Sequence, residues 1–290
     1  MWSRIIAFFM SVLAFFASLF GGRINDSGKY KEYLDVTYGG NALQTYDLYI
    51  PTGKGETLGL VLYIHGGAWV SGDKASYQPT IKDIAANHGY AAASINYRFL
   101  TSGVTMQDIL NDVNAAVNAI WDKAKSEGYT INKMITTGMS AGAHLALMYA
   151  YQTPSDSKIK PVAVCSQCGP TDLSDPGYYA DGMMFQNSYL QLVASIIGQD
   201  VTNEMIAQYT AQYSPVTFAQ TAVPTIIAHG QKDTIVPYSN AVTLDALLSA
   251  NGVTHQLITY PNSGHALESD PDCAAAYQQA FWQYAANYLN

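Results

Sequence analysis

Charged residues are scarce in this chain, and basic residues are scarcer than acidic ones. Only 12% of the 290 residues are charged, and 14 Lys and Arg stand against 22 Asp and Glu, for a formal net charge of −8. A nucleic-acid partner requires a basic surface that displaces counterions, so this composition argues against one. Apolar residues make up 49% of the chain, which excludes disorder over most of it. The length is sufficient for one large α/β domain.

Cysteine is equally rare, with Cys165, Cys168 and Cys273 as the three examples. Cys165 and Cys168 fall in an apolar run that predicts a buried strand. Residues three apart in a strand face opposite sides, about 10 Å apart at ~3.3 Å per residue, so we expect no disulfide. No accompanying residues have the spacing of a zinc or redox site. We therefore interpret these cysteines as small buried packing residues, and we expect neither a metal nor an organic cofactor.

One long apolar run stands at the N-terminus. Residues 5–20 are apolar apart from Ser11 and Ser18, and Arg4 precedes them. The run is shorter than the ~20 residues that span a bilayer and close to the length of a signal-peptide core, although the cleavage signal is imperfect. We interpret residues 1–22 as a signal peptide or N-terminal anchor. The protein is then expected to be secreted, or anchored to the membrane on its extracytoplasmic side; a buried or interfacial helix is the alternative.

Strand-like and helix-like segments alternate through residues 23–290, which we interpret as one catalytic domain. Two β-like segments, 34–38 and 45–50, come first. The later strand-like runs are mostly apolar without alternation, at 58–64, 91–97, 134–137, 162–167, 225–229 and 256–260. Such runs suit burial on both faces of a mostly parallel sheet. The helical patterns between and after them are 77–87, 106–125, 143–150, 239–250 and 274–288. This alternation predicts a doubly wound α/β fold.

The segment 173–215 interrupts that alternation. It lies between two predicted strands, is far longer than a simple crossover, and is rich in tyrosine, methionine and aliphatic residues. Loops at the carboxyl ends of parallel strands build the ligand sites of such folds. We therefore predict a small helical cap insertion over the site, with an ordinary pair of surface helices as the alternative.

Ser140 is the candidate nucleophile. It lies in Gly-Met-Ser-Ala-Gly, between a predicted strand and a predicted helix. Glycines at 138 and 142 suit a sharp strand-to-helix turn in which a side chain on the inner face would clash. A serine hydroxyl also requires a base, a group that orients the base, and donors for the oxyanion.

Asp233 and His265 have the residue types and chain order that supply the base and its orienting group. Each follows a predicted strand directly, so each is expected at the same edge of the sheet as Ser140. Asp172 is a weaker alternative acid. We interpret His144 as a packing residue or as a support behind the nucleophile, His229 as a structural residue at the end of a buried strand, and Asp270 with Asp272 as the cap of the last helix.

The segment from His65 to Trp69 is predicted to supply the oxyanion donors. Its sequence is His-Gly-Gly-Ala-Trp, directly after a predicted strand. Residues with little or no side chain let the backbone approach a substrate closely, and backbone N–H groups stabilise a tetrahedral oxyanion. The candidate donors are the N–H groups of Gly67 and Ala68, with that of Ala141 just after the nucleophile.

These motifs resemble those of a known superfamily. The matching segments are His65–Trp69, Asn96–Arg98, Gly138–Gly142 with His144–Ala146, Gly169–Leu173, Asp233–Pro237 and Gly264-His265. Together they are similar to the α/β-hydrolase superfamily, in particular its esterase branch with a His-Gly-Gly-x-Trp motif. That branch includes hormone-sensitive-lipase-type carboxylesterases and the acetyl-xylan and feruloyl esterases of gut bacteria. Ala68 stands where many relatives have a third glycine, and the cap is shorter than a lipase lid.

The resemblance implies a serine esterase acting through Ser140, His265 and Asp233. Short-acyl carboxylic esters are the expected substrates, including acetyl or feruloyl esters of plant polysaccharides. An arylformamidase-type amide hydrolase, which uses the same His-Gly-Gly-x-Trp motif, is the alternative enzyme. The alternative of a different class is a non-catalytic binding protein on a hydrolase scaffold.

Overall fold

The structure is a computed structural model that describes residues 28–100 and 103–290. The predicted signal peptide or anchor at 1–22 lies outside these residues. In the described part of the chain, no helix combines the length and the apolar character needed to traverse a bilayer.

The described residues form one eight-stranded sheet. Its strands are β1 (Tyr30–Thr37), β2 (Thr45–Pro51), β3 (Thr57–Ile64), β4 (Ala91–Ile95), β5 (Thr130–Met139), β6 (Lys160–Gln167), β7 (Thr225–Gly230) and β8 (His255–Tyr260). Their order across the sheet is β1-β2-β4-β3-β5-β6-β7-β8. The β1–β2 and β2–β4 pairs are antiparallel, and the others are parallel. The carboxyl ends of β3 and β5 to β8 therefore lie at one edge, where Ser140, Asp233 and His265 follow their strands.

Helices cover both faces of the sheet. They are α1 (Gln78–Asp83), α2 (Met106–Ser126), α3 (Ala141–Tyr151), α4 (Tyr189–Ile197), α5 (Ile206–Thr210), α6 (Ser239–Ala250) and α7 (Pro271–Tyr288). The predicted helix at 77–87 is a 3₁₀ turn (Lys74–Tyr77), α1 and a π turn (Ile84–His88) in succession. Gly89 ends this series with a left-handed φ of 77°, a conformation that glycine adopts without steric cost.

The apolar strands are buried on both faces, as their sequences predict. In β3, Leu60 and Leu62 pack into one core cluster, whereas Val61 between them packs into the cluster on the opposite face. All three side chains are fully buried. Successive strand residues point to opposite sides, so an unbroken apolar run serves two cores at once. The predicted α/β-hydrolase fold is confirmed.

The antiparallel edge has a different character. β1 is the edge strand, and its residues are exposed or half-buried. A bulge between Tyr33 and Val36 gives Asp35 a left-handed φ of 52°. The buried ammonium of Lys74 lies 2.6 Å from a carboxylate oxygen of Asp35 and 2.8 Å from one of Asp47 on β2. This cation holds the bulge against the sheet.

Candidate active site

Ser140 occupies a strained turn between β5 and α3. Its φ is 57° and its ψ is −126°, and α3 begins at the next residue. Its N–H donates to the carbonyl of Gln167 at the end of β6, over 2.8 Å. A Cβ on Gly138 would lie 2.4 Å from the carbonyl oxygen of Ile64, and one on Gly142 would lie 2.0 Å from it. Glycine is therefore required at both positions, as the turn predicts.

The loop after β3 approaches the same turn. Three consecutive residues have left-handed backbone angles: Gly67 with φ 114°, Ala68 with φ 50° and Trp69 with φ 60°. A Cβ on Gly66 would lie 2.7 Å from the Met139 carbonyl oxygen and 3.3 Å from the Cβ of Ser140. Because Gly66 has no side chain, this loop can lie directly against the turn that carries Ser140.

His65 packs against the loop that follows β3. It is fully buried, its ring stacks on Tyr97 with centroids 4.3 Å apart, and its Nδ1 lies 2.8 Å from the Gly66 carbonyl oxygen. Burial lowers the pKa of His65 to about 4, so its imidazole is neutral near pH 7. We assign it a structural role beneath the loop that follows β3.

Asp233 and His265 are hydrogen-bonded to each other. His265 Nδ1 lies 2.7 Å from Asp233 Oδ2, and both side chains are almost completely buried. Asp233 Oδ1 accepts the N–H groups of Ile235 at 2.8 Å and Val236 at 3.0 Å. Burial by itself raises the pKa of Asp233, but the charge of His265 and hydrogen bonds from His229 and His265 outweigh it. The pKa of Asp233 is held well below its ordinary value.

His229 is a partner of Asp233 that the sequence interpretation missed. We interpreted it as a structural residue at the end of a strand, and it is buried there. Its Nε2, however, lies 3.2 Å from Asp233 Oδ2. The loop after β7 turns back on itself, with the N–H of Asp233 donating to the carbonyl of Gly230 over 3.3 Å. The spacing His-x-x-x-Asp directly after a buried strand is the signal that indicates this contact.

Asp270 corrects another expectation. It occupies the N-cap position of α7, but its side chain makes no capping hydrogen bond there. Its carboxylate instead accepts the backbone N–H and the side-chain amide of Asn262, each at 2.9 Å, and the Ser263 hydroxyl at 2.6 Å. Asp270 therefore fixes the loop that carries His265, and Pro271 starts the helix without a side-chain cap.

The other sequence candidates have structural partners. His144 is fully buried on α3, with Nε2 2.7 Å from the Tyr213 carbonyl oxygen and its ring edge-on to Trp69. Burial lowers the pKa of His144 to about 4. The weaker acid candidate, Asp172, accepts from the N–H and hydroxyl of Ser174 at 2.8 and 2.6 Å. This is a local turn of the Asx type.

Cys168 lies beside Asp233 and His229. The strand predicted to contain Cys168 ends one residue earlier, and Cys168 itself has a left-handed φ of 48°. One potential ligand atom from each of these three residues lies within 4.8 Å of the others. Burial raises the pKa of the Cys168 thiol well above its ordinary value, and the charge of Asp233 adds to this effect. Metal binding requires a thiolate, so this cluster is poorly suited to hold a metal.

A pocket opens in front of Ser140. Ala68 and Ala141 lie on its wall beside Ser140, and the remaining lining is apolar or aromatic: Trp69, Pro170, Leu173, Tyr178, Phe185, Tyr189, Leu192, Ile235 and Val236. It contains about 340 Å³ of empty space, including its open mouth.

The predicted cap contributes five of these lining residues, Leu173, Tyr178, Phe185, Tyr189 and Leu192. Tyr189 is buried, and its hydroxyl donates to the carbonyl of Leu173 over 2.7 Å. The segment 173–215 therefore forms one wall of the pocket. Sequence alone indicated its apolar content but not the bounds of α4 and α5.

Comparison with known proteins identifies the family. The model of the BD-FAE family matches residues 46–248, which is well over half of the chain. The chain belongs to this family. The match runs from β2 to α6, and it includes Ser140, Asp233 and the segment from His65 to Trp69. His265 lies beyond its end.

Two plant proteins are among the curated relatives. Probable isoprenylcysteine alpha-carbonyl methylesterase from Oryza sativa subsp. japonica is 25% identical over 79% of this chain and 57% of its own length. Isoprenylcysteine alpha-carbonyl methylesterase from Arabidopsis thaliana is 24% identical over 79% of this chain and 55% of its own length. This chain thus spans just over half the length of these relatives.

Solved structures show the same fold. A truncated carbohydrate esterase from gut microbiota has a TM-score of 0.71 and 21% identity, covering 89% of this chain and 98% of that one. Esterase B from Lactobacillus rhamnosis has a TM-score of 0.76 and 19% identity, covering 98% and 94%. At this identity the likeness concerns the fold.

Proposed function

We propose that this protein is a serine esterase that hydrolyses short-acyl carboxylic esters through Ser140, His265 and Asp233. The observation that carries the proposal is the pocket wall itself. It presents a strained nucleophile turn beside a loop of small residues with left-handed backbone angles, and the Asp233–His265 pair follows two further strands at the same sheet edge. The esterase relatives support the same reaction class.

In this mechanism His265 acts first as base and then as acid. Its Nε2 takes the proton of Ser140 Oγ as the oxygen attacks the ester carbonyl, and Asp233 holds the proton on Nδ1. The N–H groups of Gly67, Ala68 and Ala141 stabilise the oxyanion. His265 then gives its proton to the departing alcohol, leaving an acyl-enzyme. Water, deprotonated by His265, attacks the acyl carbonyl and releases the carboxylic acid and Ser140.

The pocket lining favours small neutral acyl groups. Every lining residue is uncharged, and the hydroxyl of Tyr189 is engaged with a backbone carbonyl. Burial of a charged acyl group without a partner is unfavourable, so acids such as succinate are disfavoured. Acetyl and feruloyl esters of plant polysaccharides fit this chemistry, and one structural relative is named a carbohydrate esterase. Residues 1–22 are proposed to direct the protein out of the cytoplasm, as a cleaved signal or an anchor.

The test compares wild type, Ser140→Ala and a matched control. Ser94→Ala makes the same change at a buried serine on β4, whose hydroxyl has no hydrogen-bond partner among the described residues. Initial rates are measured on p-nitrophenyl esters from acetate to decanoate, methyl ferulate, acetylated xylan and an N-formyl anilide. Wild type and Ser94→Ala should prefer short acyl chains, and Ser140→Ala should lose at least ~10³-fold in rate.

Three other results would each change the proposed assignment. Ester hydrolysis by a folded Ser140→Ala protein at the wild-type rate would sink the assignment of the nucleophile. Hydrolysis of the formyl anilide alone would replace the esterase with an arylformamidase-type activity. Failure of wild type to react with any substrate or with a fluorophosphonate probe would favour the binding-protein alternative.

A further inference from the structure

His229 presents an N–H group to Asp233, and its contacts fix which of the two ring nitrogens carries the hydrogen. Nε2 lies 3.0 Å from the carbonyl oxygen of Val236. A carbonyl oxygen only accepts, so Nε2 must bear the hydrogen. The same nitrogen is 3.2 Å from Asp233 Oδ2, so its N–H dipole lies beside the carboxylate. His229 Nδ1 is buried and has no hydrogen-bond partner among the described residues.

The carboxylate of Asp233 is consequently surrounded by four donors. Oδ1 accepts the N–H groups of Ile235 and Val236 at 2.8 and 3.0 Å. Oδ2 accepts from His265 Nδ1 at 2.7 Å and lies 3.2 Å from His229 Nε2. Two of these donors belong to backbone that turns with the loop, and one belongs to the base. His229 is the donor that comes from the rigid strand β7, 1% exposed.

We propose that His229 is a positioning residue for the proposed ester hydrolysis, which holds the Asp233 carboxylate in line with His265 and withdraws part of its charge. This inference rests on the proposed function. With His229 in place, Oδ2 has little capacity to accept the proton of His265, so that proton stays on Nδ1. Without it, Oδ2 is held by His265 alone, and its less compensated charge stabilises protonated His265 more strongly.

The surroundings offer few other charges that titrate in the same range. Besides His229, the titratable groups facing the Asp233–His265 pair are Cys168 after β6, Tyr178 in the cap, and Glu268 on the loop of His265. Burial holds the pKa of Cys168 and of Tyr178 well above their ordinary values, so both stay uncharged. Lys232, next to Asp233, is exposed.

The experiment removes the donor and then restores it. His229→Leu and His229→Asn both withdraw it, since the Asn amide ends where Nδ1 lies. His229→Gln returns an amide N–H at the same number of bonds from Cβ as Nε2. His144→Leu is the matched control, because His144 is also fully buried with Nε2 on a backbone carbonyl. For each variant, kcat, KM and the pH profile of kcat/KM are measured, and circular dichroism checks folding.

In His229→Leu and His229→Asn we expect kcat to fall by about tenfold or more with KM little changed. The acid limb of kcat/KM should move to higher pH by about one unit. His229→Gln should recover most of both effects, and the acid limb of His144→Leu should stay at its wild-type position. Two variants that lack the donor are used, so that the test remains valid if one of them does not fold.

Two results overturn the inference in different ways. If the folded Leu and Asn variants keep the wild-type acid limb, or if His144→Leu shifts it equally, His229 has only a structural role. The esterase proposal is judged separately, by the wild-type substrate range and by the activity that Ser140→Ala retains.

Discussion

The two halves of the site are built by different means. The nucleophile half, around Ser140 and the loop after β3, is shaped by backbone: strained φ angles and glycines whose missing Cβ atoms admit a neighbouring chain. The Asp233–His265 half is shaped by side-chain hydrogen bonds among buried charged and polar groups. The first half is therefore sensitive to added atoms, whereas the second is sensitive to lost donors and to pH.

The most severe test of the second half is Asp233→Asn. The amide offers a donor where His265 Nδ1–H needs an acceptor, which favours the wrong imidazole tautomer. We expect kcat to fall by about 10⁴-fold with the fold intact. Asp172→Asn is the matched control and should keep wild-type activity, since the carboxylate of Asp172 bonds only to Ser174 among the residues described. A stronger loss in Asp172→Asn would exchange the two assignments.

The corresponding test of the first half is Gly142→Ala. Its new Cβ would lie 2.0 Å from the Ile64 carbonyl and 2.7 Å from that of His65, and backbone cannot move aside as a side chain can. We expect the free energy of unfolding to drop by about 3 kcal/mol or more, measured by urea denaturation. Gly55→Ala, where no atom lies within 4 Å of the new Cβ, should change it little. Equal stability of the two variants contradicts a sterically built half.

The smallest expected effect concerns pH. Burial lowers the pKa of His144 to about 4, below its ordinary value of ~6.5. Between these values the unfolded chain binds a proton that the folded protein excludes, so stability falls as pH drops from about 6.5 to 4. This single residue accounts for up to ~3 kcal/mol over that range. His144→Gln should flatten the decline in denaturation experiments, and an unchanged slope contradicts the assignment.

The sequence predicted correctly the site residues that directly follow strands. Ser140, Asp233 and His265 each follow an apolar run, and runs buried on both faces are readily recognised. The interpretation was wrong where a loop folds back on itself. His229 contacts Asp233, and Asp270 bonds to Asn262 instead of capping α7. Such contacts depend on loop conformation, which local periodicity does not encode.

The hydrophobic pattern of the sequence also did not predict the backbone conformation of single residues. Cys168 falls in an apolar run that predicts a strand, yet its φ of 48° places it after the strand. Only its tertiary position, packed behind Asp233, makes that conformation favourable. The bounds of α4 and α5 escaped prediction because short apolar runs in the segment 173–215 are compatible with several structures.

The edge strand β1 has a consequence for solubility. An open sheet edge offers unpaired backbone groups to any second chain, and aggregation begins at such edges. β1 places exposed Lys31 and Glu32 along this edge, and the bulge at Asp35 interrupts its regular ladder. The cation of Lys74, buried between Asp35 and Asp47, keeps that bulge in place. The two ion pairs of Lys74 thereby keep this edge irregular, which disfavours its pairing with a strand of a second chain.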